Sequence, residues 1–66
     1  MPRLIVNGRP HETQALSVGA LLGELRLGPA WTLVERNGTP VDRNALDAEI
    51  LHEGDTLEII RAVAGG

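Results

Sequence analysis

Residues 3–25 read RLIVNGRPHETQALSVGALLGEL, and this stretch holds the patterns that decide the fold. The apolar run at 3–6 predicts a first strand. Asn7 and Gly8 follow it, and this dipeptide favours a tight hairpin turn because both residues tolerate positive φ. Residues 9–13 then form the predicted return strand. The chain is therefore expected to open with a β-hairpin.

The second half of the same stretch predicts one helix. Ser17 has the side chain of an N-cap residue. Apolar residues follow at the i, i+3, i+4, i+7 spacing of one helix face, namely Val18, Leu21, Leu22 and Leu25. Gly28 and Pro29 are expected to end the helix. An apolar stripe at this spacing is more often core packing than a ligand site, so the helix should cover one face of a sheet.

Four further segments complete the predicted architecture. Residues 32–37 form a third strand, whose facing is ambiguous because two adjacent apolar residues point to opposite sides. A second Asn-Gly turn leads to a short strand at 39–41. Residues 43–46 are expected to form a single helical turn, and 56–61 form the last strand. The tight turn before that strand contains Gly54.

This order predicts an α+β fold of the β-grasp, or ubiquitin-like, type, in which one helix packs across one face of a small mixed sheet. A chain of 66 residues has room for one small domain, so 1–66 are assigned to it, with 62–66 as a flexible tail. Leu46 and Ile50 are expected to cap the core, and Trp31 to cover one edge. The core itself should consist of Leu4, Val6, Val18, Leu21, Leu22, Leu25, Leu57 and Ile59.

Composition excludes several classes of function. The chain has no cysteine, so it has no disulfide, no thiol nucleophile and no cysteine zinc site. The net charge of −3 and the scattered arginines argue against a nucleic-acid surface. No apolar run approaches the roughly 20 residues of a membrane span, and no signal peptide is evident, which predicts a cytoplasmic protein. His11 and His52 are isolated and Glu53 and Asp55 flank a tight turn, so no metal site is expected.

The last residues, Gly65 and Gly66, suggest a chemical role. Two residues without side chains make a thin tail that can enter a narrow active site and present a carboxylate. A frayed glycine end is the alternative interpretation.

Four short segments resemble the ThiS family, the bacterial sulfur carriers of thiamin thiazole biosynthesis. They are LIVNG at 4–8, VERNG at 34–38, EGD at 53–55 and VAGG at 63–66. The resemblance covers nearly the whole chain in the same order. The alternatives left open are a related β-grasp carrier for tRNA thiolation or molybdopterin synthesis, a protein modifier, and a passive binding module.

The resemblance implies a carrier that partner enzymes act on, and not an enzyme. Gly66 would be adenylated and then converted to a thiocarboxylate, with Val63, Ala64 and Gly65 as the neck of the tail. The implied partners are a ThiF-like adenylyltransferase, a ThiG-like thiazole synthase and a persulfide donor in a sulfur relay. The chain itself would bind no cofactor, because ATP and Mg are used by the adenylyltransferase.

Strand alternation suggests where such a partner docks. Leu57 and Ile59 share one face of the last strand, so Ile60 should lie on the opposite, uncovered face, as should Ile5 in the first strand. Exposed apolar side chains on an open sheet are typical of a partner surface. Ile5, Ile60 and Arg61 are therefore the predicted partner-binding residues; Arg36 could also face an acidic partner groove.

Overall fold

The computed structural model describes residues 2–61, which form a five-stranded mixed sheet with one α-helix. Two 3₁₀ turns, Pro29–Trp31 and Arg43–Ala45, precede and follow the β3–β4 hairpin. The elements in chain order are β1 (Arg3–Val6), β2 (Arg9–Glu12), α1 (Val18–Glu24), β3 (Thr32–Arg36), β4 (Thr39–Pro40) and β5 (Thr56–Arg61). The sheet order is β2-β1-β5-β3-β4, with β1 parallel to β5 and every other pair antiparallel. The predicted α+β architecture is confirmed; the predicted tail, 62–66, lies outside the described residues.

Both Asn-Gly turns form the predicted hairpins, and each also attaches to the last strand. Asn7 and Gly8 have φ of 51° and 82°, the positive values that a two-residue hairpin turn requires. The Asn7 side chain accepts a hydrogen bond from the Ile59 N–H at 2.7 Å and donates one to the Ile59 carbonyl at 3.2 Å. Asn37 accepts from the Thr56 N–H at 2.9 Å. The two turns therefore hold β5 from both sides.

The helix begins where predicted and ends earlier than predicted. Ser17 is its N-cap, with Oγ accepting a hydrogen bond from the Ala20 N–H at 3.1 Å. Beyond Glu24 the chain turns at Arg26, whose φ is +60° and whose N–H donates to the Gly23 carbonyl at 3.1 Å. The next N–H bonds back to Leu22, which completes a Schellman motif. The stop predicted at Gly28-Pro29 is therefore wrong, and those two residues open the first 3₁₀ turn instead.

Replacing Arg26 by glycine is expected to stabilise the domain. Arg26 is exposed and occupies the left-handed region, where a Cβ is unfavourable and glycine is usual. After allowing for the greater freedom of glycine in the unfolded chain, the gain is about 0.5–1 kcal/mol. The melting temperature should rise by about 2–8 °C. Arg26→Ala is the matched control, since it removes the same side chain and keeps the strain; an equal gain from alanine would contradict this explanation.

The core lies between α1 and the sheet and includes most of the predicted residues. Six of the eight are buried, and Val6 and Leu25 are partly buried against them. Four further apolar residues complete the buried set: Ala15, Val34, Leu46 and Leu51. Ile50 is 50% exposed because it pairs with Ser17 in an isolated bridge and Leu51 is the residue that turns inward. Trp31 is 55% exposed because its ring lies beside Gly28 in its own 3₁₀ turn, so the prediction that it covers the core is wrong.

Candidate functional site

The strand that precedes the predicted tail is the central strand of the sheet. β5 pairs with β1 on one side and β3 on the other, and it ends at Arg61, opposite Thr32. Gly66 and its neck, Val63, Ala64 and Gly65, lie outside the described residues. The structure therefore supplies a central strand immediately before the segment that carries the predicted chemistry.

One face of the sheet is uncovered within residues 2–61, and we call it the open face. Its side chains alternate with the buried ones that face α1, so the pleat alone assigns them to this side. The open face consists of Arg3, Ile5, Pro10, Glu12, Leu33, Glu35, Pro40, Thr56, Glu58 and Ile60.

An apolar pair lies on the open face near the end of β5. Leu33 and Ile60 are directly opposite each other in the β3–β5 register and are 53% and 55% exposed. The prediction that Ile60 faces away from the core is confirmed. Leu33 was missed because the facing of its strand was ambiguous; the burial of Thr32 and Val34 on the other side settles it.

Ile5 and Arg61 do not join this pair in one patch. Ile5 is half-buried and lies beside Thr56, four residues before Ile60 along β5, which corresponds to about 13 Å. Arg61 lies opposite Thr32, which is buried, so Arg61 stands on the helix side of the sheet. The partner-binding role of Ile5, Ile60 and Arg61 stays a prediction, and the geometry adds Leu33 to it.

Arg36 is engaged in an internal cluster on the opposite side of β3. Its Nε donates to Asp55 Oδ2 at 2.9 Å, and a terminal nitrogen donates to Glu49 Oε2 at 2.8 Å. Asp55 is 6% exposed and also accepts hydrogen bonds from the Asn37 amide at 3.0 Å and the His52 N–H at 2.8 Å. The cluster ties β3 to the loop before β5. Arg36 is therefore a structural residue in this arrangement, which argues against its predicted role in facing a partner.

The electrostatics of this cluster favour its charged form. Burial acts to raise the pKa of Asp55, but the hydrogen bonds from Asn37 and His52 and the charge of Arg36 together hold that pKa below its ordinary value. The hydrogen bonds to Glu49 and Asp55 raise the pKa of Arg36. The Asp55 carboxylate accepts three hydrogen bonds that favour its ionised form, which is typical of a structural ion pair and not of a group that transfers protons.

The two histidines also contact charged side chains. His11 contacts Glu24 at 3.2 Å, and His52 contacts Arg36 at 2.8 Å. Among residues 2–61, no group of three or more histidine, cysteine or acidic side chains could hold a metal ion. No helix found in that range has both the length and the apolar character needed to cross a membrane.

Comparison with known proteins gives consistent matches. The model of the ThiS family matches residues 4–66. A thiazole synthase of Paramagnetospirillum magneticum is 35% identical over 65 residues, or 97% of this chain, but the chain spans only 20% of that relative's length.

Two solved structures of thiamine biosynthesis proteins from Geobacter metallireducens have the same fold. The crystal structure of ThiS from that organism has a TM-score of 0.80 at 35% identity, and the alignment covers 97% of this chain and 99% of the other. A solution structure has a TM-score of 0.79 at 34% identity and covers 97% and 87%.

Proposed function

The chain belongs to the ThiS family of sulfur carriers in thiamin biosynthesis, and from that premise we propose that the carboxylate of Gly66 carries the sulfur. The observation that carries this proposal is the extent of the family match, which runs from residue 4 through Gly65 to Gly66. The likeness to solved ThiS structures over 97% of the chain supports it.

The proposed reaction requires from this chain one free carboxylate and a tail narrow enough to enter the active site of the partner enzyme. A carboxylate oxygen of Gly66 attacks the α-phosphorus of ATP, which forms an acyl-adenylate and releases pyrophosphate. The terminal sulfur of a persulfide donor then displaces AMP, and reduction of the resulting S–S bond by a thiol leaves the thiocarboxylate. ATP and Mg are used by a ThiF-like adenylyltransferase, so this chain needs no cofactor and acts as the substrate of partner enzymes.

A thiazole synthase is the proposed recipient of the sulfur. The curated relative bears the name thiazole synthase, and a region similar to this chain makes up 20% of it. A carrier-like region within such a protein supports a functional link between the two. We therefore propose a ThiG-like thiazole synthase as the acceptor, in preference to a tRNA-thiolating or molybdopterin-forming enzyme.

Intact mass spectrometry tests the proposed function directly. The protein is incubated with its cognate adenylyltransferase, ATP, Mg and a persulfide donor. We expect the mass gain that accompanies replacement of one oxygen by sulfur, located on Gly66 by fragmentation. An unchanged mass with enzymes that are shown to be active would reject the carrier function, and transfer to a tRNA-thiolating enzyme alone would reject the thiazole assignment.

Ile60→Asp is expected to weaken binding to the adenylyltransferase by about tenfold or more, because it places a charge in an apolar contact. Ile60 is 55% exposed, so the melting temperature should change little. Leu16→Asp is the matched control, since Leu16 is 71% exposed and lies outside the sheet. Binding is measured by titration calorimetry. Equal losses of affinity in both variants, or unfolding of Ile60→Asp, would contradict a docking role for this face.

A further inference from the structure

Two carboxylates face each other across the centre of the open face. Glu35 of β3 and Glu58 of β5 are partners in the antiparallel register, and both are exposed. Side chains directly opposite in such a pair have Cβ atoms about 5 Å apart, and like charges at that distance destabilise the sheet. The pair therefore opposes the stability of the free domain.

No ion pair found in residues 2–61 offsets this repulsion. Arg3 pairs with Glu12 at 2.8 Å, and Arg36 pairs with Glu49 and Asp55. Within residues 2–61, no ion pair or side-chain hydrogen bond includes Glu35 or Glu58. Within the described part of the chain their charge is therefore unpaired, in a protein whose net charge is already −3.

The acidic pair adjoins the apolar pair. Leu33 and Ile60 are the next open-face residues along β3 and β5, so the four side chains form two neighbouring rows across the same two strands. A surface with one apolar row and one anionic row is complementary to a partner surface on which a cationic side chain lies next to apolar side chains. The pair does not form a metal site of three or more histidine, cysteine or acidic side chains, and none is found among residues 2–61.

We propose that Glu35 and Glu58 together receive a cationic side chain, arginine or lysine, of the adenylyltransferase, while Leu33 and Ile60 make the adjoining apolar contact. This inference rests on the proposed function. It adds to that function the charge of the docking site and the strand positions that form it. A cation between the two carboxylates converts their repulsion into attraction to both. The same pair thus weakens the free domain and strengthens the complex.

This double role predicts effects of opposite sign. Glu35→Gln and Glu58→Gln should each raise the melting temperature of the free protein by about 2–4 °C, because each removes the like-charge contact. Each should also raise the Kd for the adenylyltransferase by about tenfold at about 50 mM NaCl. The increase in Kd should be smaller at about 500 mM NaCl, because salt screens the charges. The double variant should lose more affinity than either single variant.

Glu12→Gln is the matched control. It removes the same charge from the same face at the β2 edge, where Glu12 is already paired with Arg3. Its Kd should change by less than about twofold and its melting temperature should not rise. Unchanged affinity in the Glu35 and Glu58 variants, a loss equal to that of the control, or a fall in their melting temperatures would overturn the inference.

The measurements also separate this inference from the proposed function. If the wild-type protein is bound and thiocarboxylated and the variants behave in the same way, the proposed cation site is rejected and the proposed function stands. If the active adenylyltransferase neither binds nor modifies the wild-type protein, both the proposed function and the proposed cation site are rejected. Weaker binding together with higher thermal stability supports both.

Discussion

Deletion of Gly66 is expected to abolish thiocarboxylate formation while leaving the melting temperature unchanged. The deletion moves the terminal carboxylate back by one residue, about 3.5 Å along an extended chain. A misplacement of 1 Å can already lower a reaction rate by about a hundredfold, so the adenylation rate should fall below detection. Stability should not change because the described helix, strands and core residues all lie within residues 2–61, before the deleted residue.

Gly65→Val also tests whether the tail must be narrow and flexible, and it does so without changing the length of the chain. A β-branched side chain widens the neck and removes the backbone conformations that only glycine adopts freely. We expect a large loss of yield, with Gly65→Ala as an intermediate case. Thermal unfolding and thiocarboxylate yield are measured side by side for wild type and the three variants. A normal yield from the deletion would show that the Gly-Gly end is only a terminus.

Asp55→Ala should have the largest effect on stability. The substitution leaves the Arg36 guanidinium, the Asn37 amide and the His52 N–H without their shared acceptor. Breaking a largely buried ion pair in this way costs about 2–3 kcal/mol. A domain of this size has only about 3–10 kcal/mol in total, and its melting temperature should fall by about 10–20 °C.

Glu53→Ala is the control for that variant, because it removes from the same turn an exposed carboxylate that accepts one hydrogen bond, from the Arg3 N–H at 2.8 Å. Its loss should stay below about 1 kcal/mol. Both are measured by urea denaturation monitored by circular dichroism. Equal losses in the two variants would show that the cluster around Asp55 adds nothing beyond an ordinary surface contact.

Acid should reproduce part of the Asp55→Ala effect in the wild type. The folded pKa of Asp55 lies below its ordinary value of 3.8, so the unfolded chain takes up the proton first as the pH falls. The stabilisation is therefore complete above about pH 4 and is lost as the pH falls through the lower, folded pKa. Asp55→Ala should lack this contribution, so its stability should depend less on pH below 4 than that of the wild type.

The sequence predicted the elements whose signals are local. The Asn7-Gly8 turn requires positive φ at both positions, and the Ser17 cap precedes a regular apolar stripe; both features are present as expected. The role of Gly66 rests on the family resemblance alone and stays a prediction, since a short motif at a fixed position carries no tertiary information.

The features that were missed depend on contacts between distant residues. Leu33 could be placed on the open face only once its register with Ile60 was known. Asp55 looked like an ordinary turn residue because its partner Arg36 lies 19 positions earlier. The helix end at Arg26 gave no signal because glycine, the usual residue there, is absent. A sequence pattern reports neighbours along the chain, whereas these features depend on which strands meet.

The position of β5 has a consequence for how the protein is made. Its contacts with β1 and with the turn after β1 bridge long stretches of chain, as between Asn7 and Ile59, which are 52 residues apart. During synthesis the β1–β2 and β3–β4 hairpins have no common neighbour until Arg61 has been translated, and an isolated hairpin is only marginally stable. We therefore expect a nascent chain or fragment that stops before Thr56 to stay unfolded. Folding would thus act as a check on completeness, because the open face forms only on molecules that include the strand leading to the proposed reactive end.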